Sequence, residues 1–304
     1  MPSGSIRSSG NRVGHWTALE NILLGETGTN MTISADRIAV STWSLHRLLG
    51  TTYPHDLTTQ AVAPMQETYG AGEESLLGLP SVLNNHGYHR LEIVSFHLRS
   101  RDPIYLRELR DQLRIAHVRL QTLLIDAGDI THPEHGARDQ RWIAGWIETA
   151  NELGAENARI IAGKQQPNPE TLERSVNALR QLADGNAGSS VRLVTENWFD
   201  LLHLPEQVHY VLDRLEGRVG LLGDFGNWSG PNKYADLASI FTRAELCHAK
   251  AQFIDGDLNQ ADYGQCVRLA EEAGYTGPYT LIFDSEIPSE WHGLAQERDF
   301  ILSQ

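Results

Sequence analysis

Residues 191–198 read Val-Arg-Leu-Val-Thr-Glu-Asn-Trp, and residues 219–228 read Val-Gly-Leu-Leu-Gly-Asp-Phe-Gly-Asn-Trp. Two later stretches have the same form: Ala-Glu-Leu-Cys-His-Ala-Lys-Ala over residues 244–251, and Tyr-Thr-Leu-Ile-Phe-Asp-Ser-Glu over residues 279–286. Each is a short apolar run that carries an ionisable side chain at or near its end, which is typical of a buried β-strand. Helical periodicity fills the intervals, so we predict four consecutive strand–helix units.

The same alternation extends towards the N-terminus. Further β-rich runs lie at residues 37–42, 90–94, 118–125 and 158–162, again separated by helical patterns. Eight strands, each followed by a helix, in about 270 residues predict a single (β/α)₈ TIM barrel of the α/β class. An open doubly wound sheet has the same alternation, but it needs a phosphate-binding glycine loop after an early strand. No such loop follows the first strand, so we favour the barrel.

The N-terminal residues differ from the rest of the chain. Residues 1–34 are rich in Ser, Gly, Asn and Thr, and we interpret them as a mobile N-terminal extension of a catalytic barrel domain over residues 35–304. Residues 1–10 contain no apolar run of the kind found in signal peptides, and no stretch approaches the length needed to span a bilayer. We therefore expect a cytoplasmic protein without a membrane partner.

The charge balance excludes some partners. The chain has 39 acidic and 25 basic residues among 304, with a formal net charge of −14. Nucleic acid affinity depends on cationic neutralisation of phosphates, so this balance disfavours a nucleic acid partner. A small-molecule substrate is expected instead, and a homo-oligomer is compatible with the sequence.

Four ionisable residues recur at the ends of successive predicted strands. Glu196, Asp224, His248 and Asp284 are spaced by 28, 24 and 36 residues, one strand–helix unit each. In a parallel barrel the carboxyl ends of the strands meet at one rim. Three carboxylates and an imidazole there would form a site for a divalent metal ion, Mn²⁺, Mg²⁺, Co²⁺ or Zn²⁺. Glu286 has the same parity as Asp284 and is the alternative acid on the eighth strand.

Several short motifs occur in a characteristic order along residues 37–300. They are Gly-Tyr-His-Arg-Leu-Glu at 87–92, Ala-Asn-Glu-Leu-Gly-Ala at 150–155, Ile-Ile-Ala-Gly at 160–163, Glu-Asn at 196–197, Asp-Phe-Gly-Asn at 224–227, His-Ala-Lys at 248–250 and Gly-Tyr-Thr-Gly-Pro at 274–278. In this order and spacing the chain resembles the sugar phosphate isomerase/epimerase superfamily of xylose-isomerase-like TIM barrels. That superfamily includes inosose dehydratases, ketose 3-epimerases, hydroxypyruvate isomerases and enzymes of the endonuclease IV type.

The resemblance implies roles for the rim residues. Glu196, Asp224, His248 and Asp284 would hold the metal, and Glu196 and Asp284 would also act as acid and base on opposite faces of a keto sugar. The metal would polarise the carbonyl, and a carboxylate would then remove the neighbouring proton. Glu92 would point from the second strand towards the substrate.

Other residues are candidates for substrate binding. Lys250 shares the inward parity of His248, while Lys164 follows the fourth strand and Asn227 follows the sixth. His97 is either a base at the rim or a loop histidine, and Trp198 is either a wall for a sugar face or part of the core. Asp126 and Asp129 end the third strand, where we favour turn chemistry over contact with substrate.

The predicted function is a divalent-metal-dependent sugar isomerase or epimerase that acts on a keto sugar or related polyol. Three departures from the family pattern weaken the prediction of a ketose epimerase. The eighth strand has an Asp in place of Glu, Asn227 stands where a His is common, and no Arg follows soon after His248. They keep open a lyase or dehydratase that eliminates from an inosose or a 3-keto glycoside. A non-catalytic carbohydrate-binding barrel is the remote alternative.

Overall fold

A closed barrel of eight parallel strands forms the centre of residues 33–304, the part of the chain that the computed structural model describes. Each strand pairs with the next along the chain, and the first pairs with both the second and the eighth. From first to eighth, the barrel strands are Ile38–Ser41, Arg90–Val94, Arg119–Ile125, Asn157–Ile160, Arg192–Glu196, Gly220–Asp224, Ala244–Lys250 and Tyr279–Ile282. The predicted (β/α)₈ fold is confirmed.

Helices surround the barrel and connect its strands. Their bounds are His46–Leu49, Leu79–Asn85, Pro103–Ile115, Gly136–Leu153, Pro169–Gly185, Pro205–Leu215, Lys233–Phe241, Gln260–Glu272 and Glu290–Leu302. Three helices begin with proline, whose fixed φ suits the first helical position. Asp102 and Asn168 cap two of these, because their side-chain oxygens accept hydrogen bonds from backbone N–H groups of the first turn.

The predicted N-terminal extension lies almost entirely outside the described residues, which begin at Ile33. Between residues 33 and 304, none of the helices combines the length and the apolar character needed to cross a membrane.

Alternation along the strands divides the side chains between two environments. Outward side chains of the barrel pack against the helices in the main hydrophobic core. Inward side chains form a small apolar layer of their own, made of Val94, Leu124, Val194, Leu222 and Leu246. Alternation places the next inward position two residues beyond the apolar layer, towards the carboxyl end of each strand. On the third, fifth, sixth and seventh strands, the residue at this position is ionisable. The candidate site therefore rests directly on this layer.

A long loop after the first strand covers one side of the barrel mouth. It contains a two-residue hairpin, His55–Asp56 paired with Ala61–Val62, and a backbone bridge between Thr52 and Gln66. Its two ends meet where Gly50 and Gly72 approach backbone to backbone. A Cβ atom on Gly72, whose φ is +74°, would lie 2.3 Å from the Leu49 carbonyl oxygen. Only glycine allows this closure.

We expect the Gly72→Ala variant to be clearly less stable than the matched Gly70→Ala variant. Both positions have positive φ, which costs a non-glycine residue about 1–3 kcal/mol. A Cβ on Gly70 meets no atom within 4 Å, whereas at Gly72 the backbone clash adds about 1–3 kcal/mol. Urea unfolding of both variants measures the difference. Equal stability would show that the loop closes without the Gly50–Gly72 contact.

Candidate active site

A pocket at the carboxyl ends of the strands, called here the metal pocket, contains most of the predicted site residues. It has a volume of about 80 Å³. Its lining comprises Trp43, Leu124, Asp126, Arg159, Glu196, Trp198, Asp224, Asn227, His248, Lys250 and Ile282.

Three of the four predicted metal ligands converge in this pocket. Glu196, Asp224 and His248 are all buried, and each offers one ligand atom that lies within 4.8 Å of the other two. The Nδ1 atom of His248 faces both carboxylates, at 3.5 Å from Glu196 Oε1 and 3.6 Å from Asp224 Oδ2. Oxygen and imidazole nitrogen donors arranged in this way suit a divalent cation.

The orientation of His248 is set from below by Glu92. The Nε2 atom of His248 lies 2.8 Å from Glu92 Oε2, and Glu92 is fully buried inside the barrel. Gln121 and Thr122 donate hydrogen bonds to the other oxygen of Glu92. A carboxylate on the second imidazole nitrogen is a typical support for a metal-binding histidine, since it leaves Nδ1 as the free donor atom. Glu92 therefore contacts a candidate ligand and positions it.

These buried carboxylates create a strong field for a positive charge. Burial by itself would lower the pKa of His248, but Glu92 and Glu196 outweigh burial and raise it well above the ordinary value. Burial would likewise raise the pKa of Glu92, yet the neighbouring His248 and three hydrogen bonds lower it. The same field that favours a proton on the imidazole favours a cation at Nδ1.

Two asparagines orient the carboxylates. Asn197 is fully buried and bonds to both backbone groups of Asp224, accepting from its N–H and donating to its carbonyl. Asp224 Oδ1 accepts hydrogen bonds from the N–H groups of Gly226 and Asn227, which leaves Oδ2 towards His248. Asn227 also donates to Glu196 Oε1 at 2.8 Å. The predicted binding residue Asn227 thus lies in the pocket and contacts a candidate ligand.

Arg159 is a central residue that the sequence analysis missed. It belongs to the fourth barrel strand, and its side chain is 2% exposed. Its guanidinium pairs with Asp126 and with Glu196, and its Nε atom lies 3.1 Å from Glu196 Oε2. Burial would lower the pKa of Arg159, but the two carboxylates outweigh it and raise the pKa. The sequence feature that could have predicted this arrangement is an arginine inside an otherwise apolar strand, because a buried guanidinium needs an ion-pair partner.

Asp126 and Asp129 have different roles in the structure. Asp126 lines the metal pocket, and burial raises its pKa despite the adjacent Arg159. Asp129 instead organises the turn, since it accepts hydrogen bonds from Thr131, Gln165 and the Lys164 backbone. Asp129 therefore stabilises the turn through side-chain hydrogen bonds, whereas Asp126 lines the metal pocket.

The eighth strand presents an apolar side chain to the pocket. It ends at Ile282, which lines the metal pocket, and Asp284 lies two residues further on. The Asp284 side chain is 44% exposed and accepts a 2.9 Å hydrogen bond from Lys250 Nζ. Glu286 is exposed and is not part of the pocket lining. The structure therefore does not bring the eighth-strand acid into the three-residue cluster.

Among the other predicted binding residues, Trp198 and Lys250 line the pocket while His97 and Lys164 do not. The Trp198 ring lies 5.0 Å from the Arg159 guanidinium. His97 is buried beside Thr42, and burial lowers its pKa to about 3. Lys164 is half-buried, with its Nζ atom 4.9 Å from the Phe199 ring.

The donor set fits a divalent metal on charge as well as on geometry. The four carboxylates of Glu92, Asp126, Glu196 and Asp224 lie in or directly beneath the pocket and outnumber the three side chains there that can carry a positive charge, Arg159, His248 and Lys250. Glu196 Oε2 is buried and has no hydrogen-bond partner among the described residues. Its neighbour is the Arg159 guanidinium, at 3.1 Å. A divalent cation held by the three clustered residues would reduce the excess of negative charge.

Solved structures with the same fold include several enzymes that act on sugars. A 3-keto-D-glucoside 4-epimerase from E. coli has 15% identity and a TM-score of 0.59, over 74% of this chain and 95% of that one. A D-allulose 3-epimerase from Methylomonas sp. in complex with D-allulose has 16% identity and a TM-score of 0.62, over 87% and 95%. A xylose isomerase-like TIM barrel protein from Mycobacterium smegmatis in complex with magnesium has 18% identity and a TM-score of 0.58, over 75% and 87%.

At these identities the structural similarity establishes the fold alone. Curated protein sequences gave no significant match to the chain. A sequence model of the xylose isomerase-like TIM barrel family, in contrast, matches residues 81–303, which contain seven of the eight barrel strands and all three clustered ligands. The predicted superfamily is thereby confirmed, and the chain belongs to the xylose isomerase-like TIM barrel family.

Proposed function

We propose that this protein is a divalent-metal-dependent enzyme of the sugar isomerase/epimerase type, acting on a keto sugar or a related polyol. The observation that carries the proposal is the convergence of Glu196, Asp224 and His248, with His248 oriented by Glu92. The structural neighbours that act on keto sugars and keto glycosides support this substrate class.

The three clustered residues would hold Mn²⁺, Mg²⁺, Co²⁺ or Zn²⁺, all of which accept mixed carboxylate and imidazole ligands. The bound ion would supply polarisation of a substrate carbonyl, which acidifies the adjacent C–H bond. The magnesium complex of a structural neighbour supports a hard divalent ion.

Glu196 is the residue that we assign to proton transfer. Its Oε1 atom accepts a hydrogen bond from Asn227, while Oε2 is buried beside Arg159 and accepts no hydrogen bond from any residue that the structure describes. Arg159 and His248 together outweigh burial and lower the pKa of Glu196, so the group is ionised and able to accept a proton. The buried Arg159 Nη1 atom has no hydrogen-bond partner among the described residues, and it would donate to a substrate oxygen.

Elimination is the second candidate reaction, and Ile282 is the observation that favours it. Carboxylates line the pocket on the third, fifth and sixth strands, whereas the eighth strand contributes Ile282. Exchange between two acids on opposite faces of a sugar would require Asp284, which is paired with Lys250. In an elimination, Glu196 would take the proton next to the carbonyl and return it to the oxygen of the β-substituent as the C–O bond breaks, so a single carboxylate suffices for that step.

Solvent exchange tests the proposed function directly. The purified protein with Mn²⁺ should incorporate deuterium from D₂O next to the carbonyl of a keto sugar, an inosose or a 3-keto glycoside. A product with unchanged saturation would indicate isomerisation or epimerisation, and an unsaturated product would indicate elimination. Absence of exchange across all three substrate classes would contradict the proposal.

We expect Glu196→Gln to lower the exchange rate by at least about 100-fold, because a general base typically contributes 10²–10⁴-fold. The matched control is Glu206→Gln, an exposed acid at the start of the helix Pro205–Leu215. Rates of both variants are compared under saturating Mn²⁺. If Glu196→Gln exchanged at the same rate as the control, Glu196 would not be the base.

Mn²⁺ affinity distinguishes the three clustered residues from Asp284 as metal ligands. Asp224→Asn should weaken Mn²⁺ binding by roughly 10–100-fold or more, since even changes outside the ligand shell cost that much. Asp284→Asn should bind Mn²⁺ like the unmodified protein, because its carboxylate pairs with Lys250. Calorimetric titration measures both affinities. An equal loss in the two variants would make Asp284 a fourth ligand.

A further inference from the structure

A second cavity, called here the outer chamber, lies next to the metal pocket. The two cavities share three lining residues, Trp43, Asp126 and Trp198. The outer chamber adds Thr52, Pro54, His55, Gln66, Tyr69 and Phe96 to its walls. Its volume of about 490 Å³ exceeds the 80 Å³ of the metal pocket and falls within the range usual for small-ligand sites.

Aromatic rings dominate the walls of the outer chamber. The Tyr69 ring stacks on His46 with centroids 4.3 Å apart, and His46 meets Trp43 edge-on at 4.7 Å. Trp43 in turn lies 6.1 Å from Phe96, in a T-shaped arrangement. Trp198 completes the wall on the side shared with the metal pocket. A flat apolar group would find both faces and edges of rings to pack against.

Some polar groups around the outer chamber are paired with each other, while His46 Nδ1 and His55 Nδ1 are buried without a hydrogen-bond partner among the described residues. The hydroxyls of Thr52 and Thr68 form a hydrogen bond at 2.5 Å, and His55 Nε2 pairs with the Ser95 hydroxyl at 3.0 Å. Burial lowers the pKa of His46 and of His55 to about 4, so both rings are neutral at pH 7. A second sugar ring would need several free hydrogen-bonding partners, and an aromatic ring would not.

We infer that the outer chamber binds an aromatic aglycone of a glycoside whose keto sugar ring occupies the metal pocket. This inference rests on the proposed function, and it narrows the substrate class from free keto sugars to aryl keto glycosides. Because Trp43, Asp126 and Trp198 line both cavities, one molecule would extend from one to the other, with the glycosidic bond near Asp126. The loop closed by Gly50 and Gly72 supplies Tyr69, and so determines the size of the outer chamber.

The test compares two substrates that share the keto ring, phenyl 3-keto-β-D-glucoside and methyl 3-keto-β-D-glucoside. We expect kcat/KM for deuterium exchange to be at least about tenfold higher for the phenyl compound, a difference of about 1.4 kcal/mol. Tyr69→Ala should reduce this ratio towards one. Met65→Ala is the matched control, because Met65 lies in the same loop, is 53% exposed and is not part of the chamber lining.

Two results would overturn the inference: equal kcat/KM for the two substrates, or the same ratio in Tyr69→Ala and Met65→Ala. Failure of the proposed function is distinguishable, since then neither compound exchanges. In that case the unreactive phenyl β-D-glucoside still tests the outer chamber, through quenching of Trp43 and Trp198 fluorescence. Binding of phenyl but not methyl β-D-glucoside supports the inference, and equal binding or none contradicts it.

Discussion

Buried negative charge is the constraint on which the rest of the site depends. Glu92, Glu196 and Asp224 are each at least nine-tenths buried, and such carboxylates are stable only beside cations or hydrogen-bond donors. The barrel meets this requirement with His248 between Glu92 and Glu196, and with Arg159 between Asp126 and Glu196. The remaining excess of negative charge makes a divalent cation the natural third component of the network.

The barrel mouth is asymmetric, and the asymmetry bears on the reaction. A polar arc runs over the third to seventh strands, from Asp126 to Lys250, while the eighth strand and the segment after the first strand contribute Ile282 and Trp43. Ionisable side chains therefore lie on one side of the pocket, and apolar side chains lie on the other. This arrangement is compatible with proton transfer by a single base, in isomerisation or in elimination.

A segment outside the barrel strands contributes much of the wall of the outer chamber. The loop after the first strand folds back on itself because Gly50 and Gly72 permit backbone contact that no side chain would allow. It thereby places Tyr69 on the same aromatic wall as Trp43 and Phe96. Variation in this loop would alter the outer chamber without touching the proposed metal ligands, which lie on strands five to seven.

The (β/α)₈ barrel could be predicted from the sequence, because alternating strands and helices have a strong periodic signal and the carboxyl ends of parallel strands meet at one rim. The sequence also predicted that Glu196, Asp224 and His248 lie together at one rim, because their spacing repeats the strand–helix unit. That Ile282 and not Asp284 lines the pocket followed only from the folded chain, because a shift of one or two residues at a strand end changes which side chain points into the barrel mouth. The folded structure likewise revealed the ion pairs of Arg159, because the pairing of a buried charge depends on neighbours that are distant along the chain.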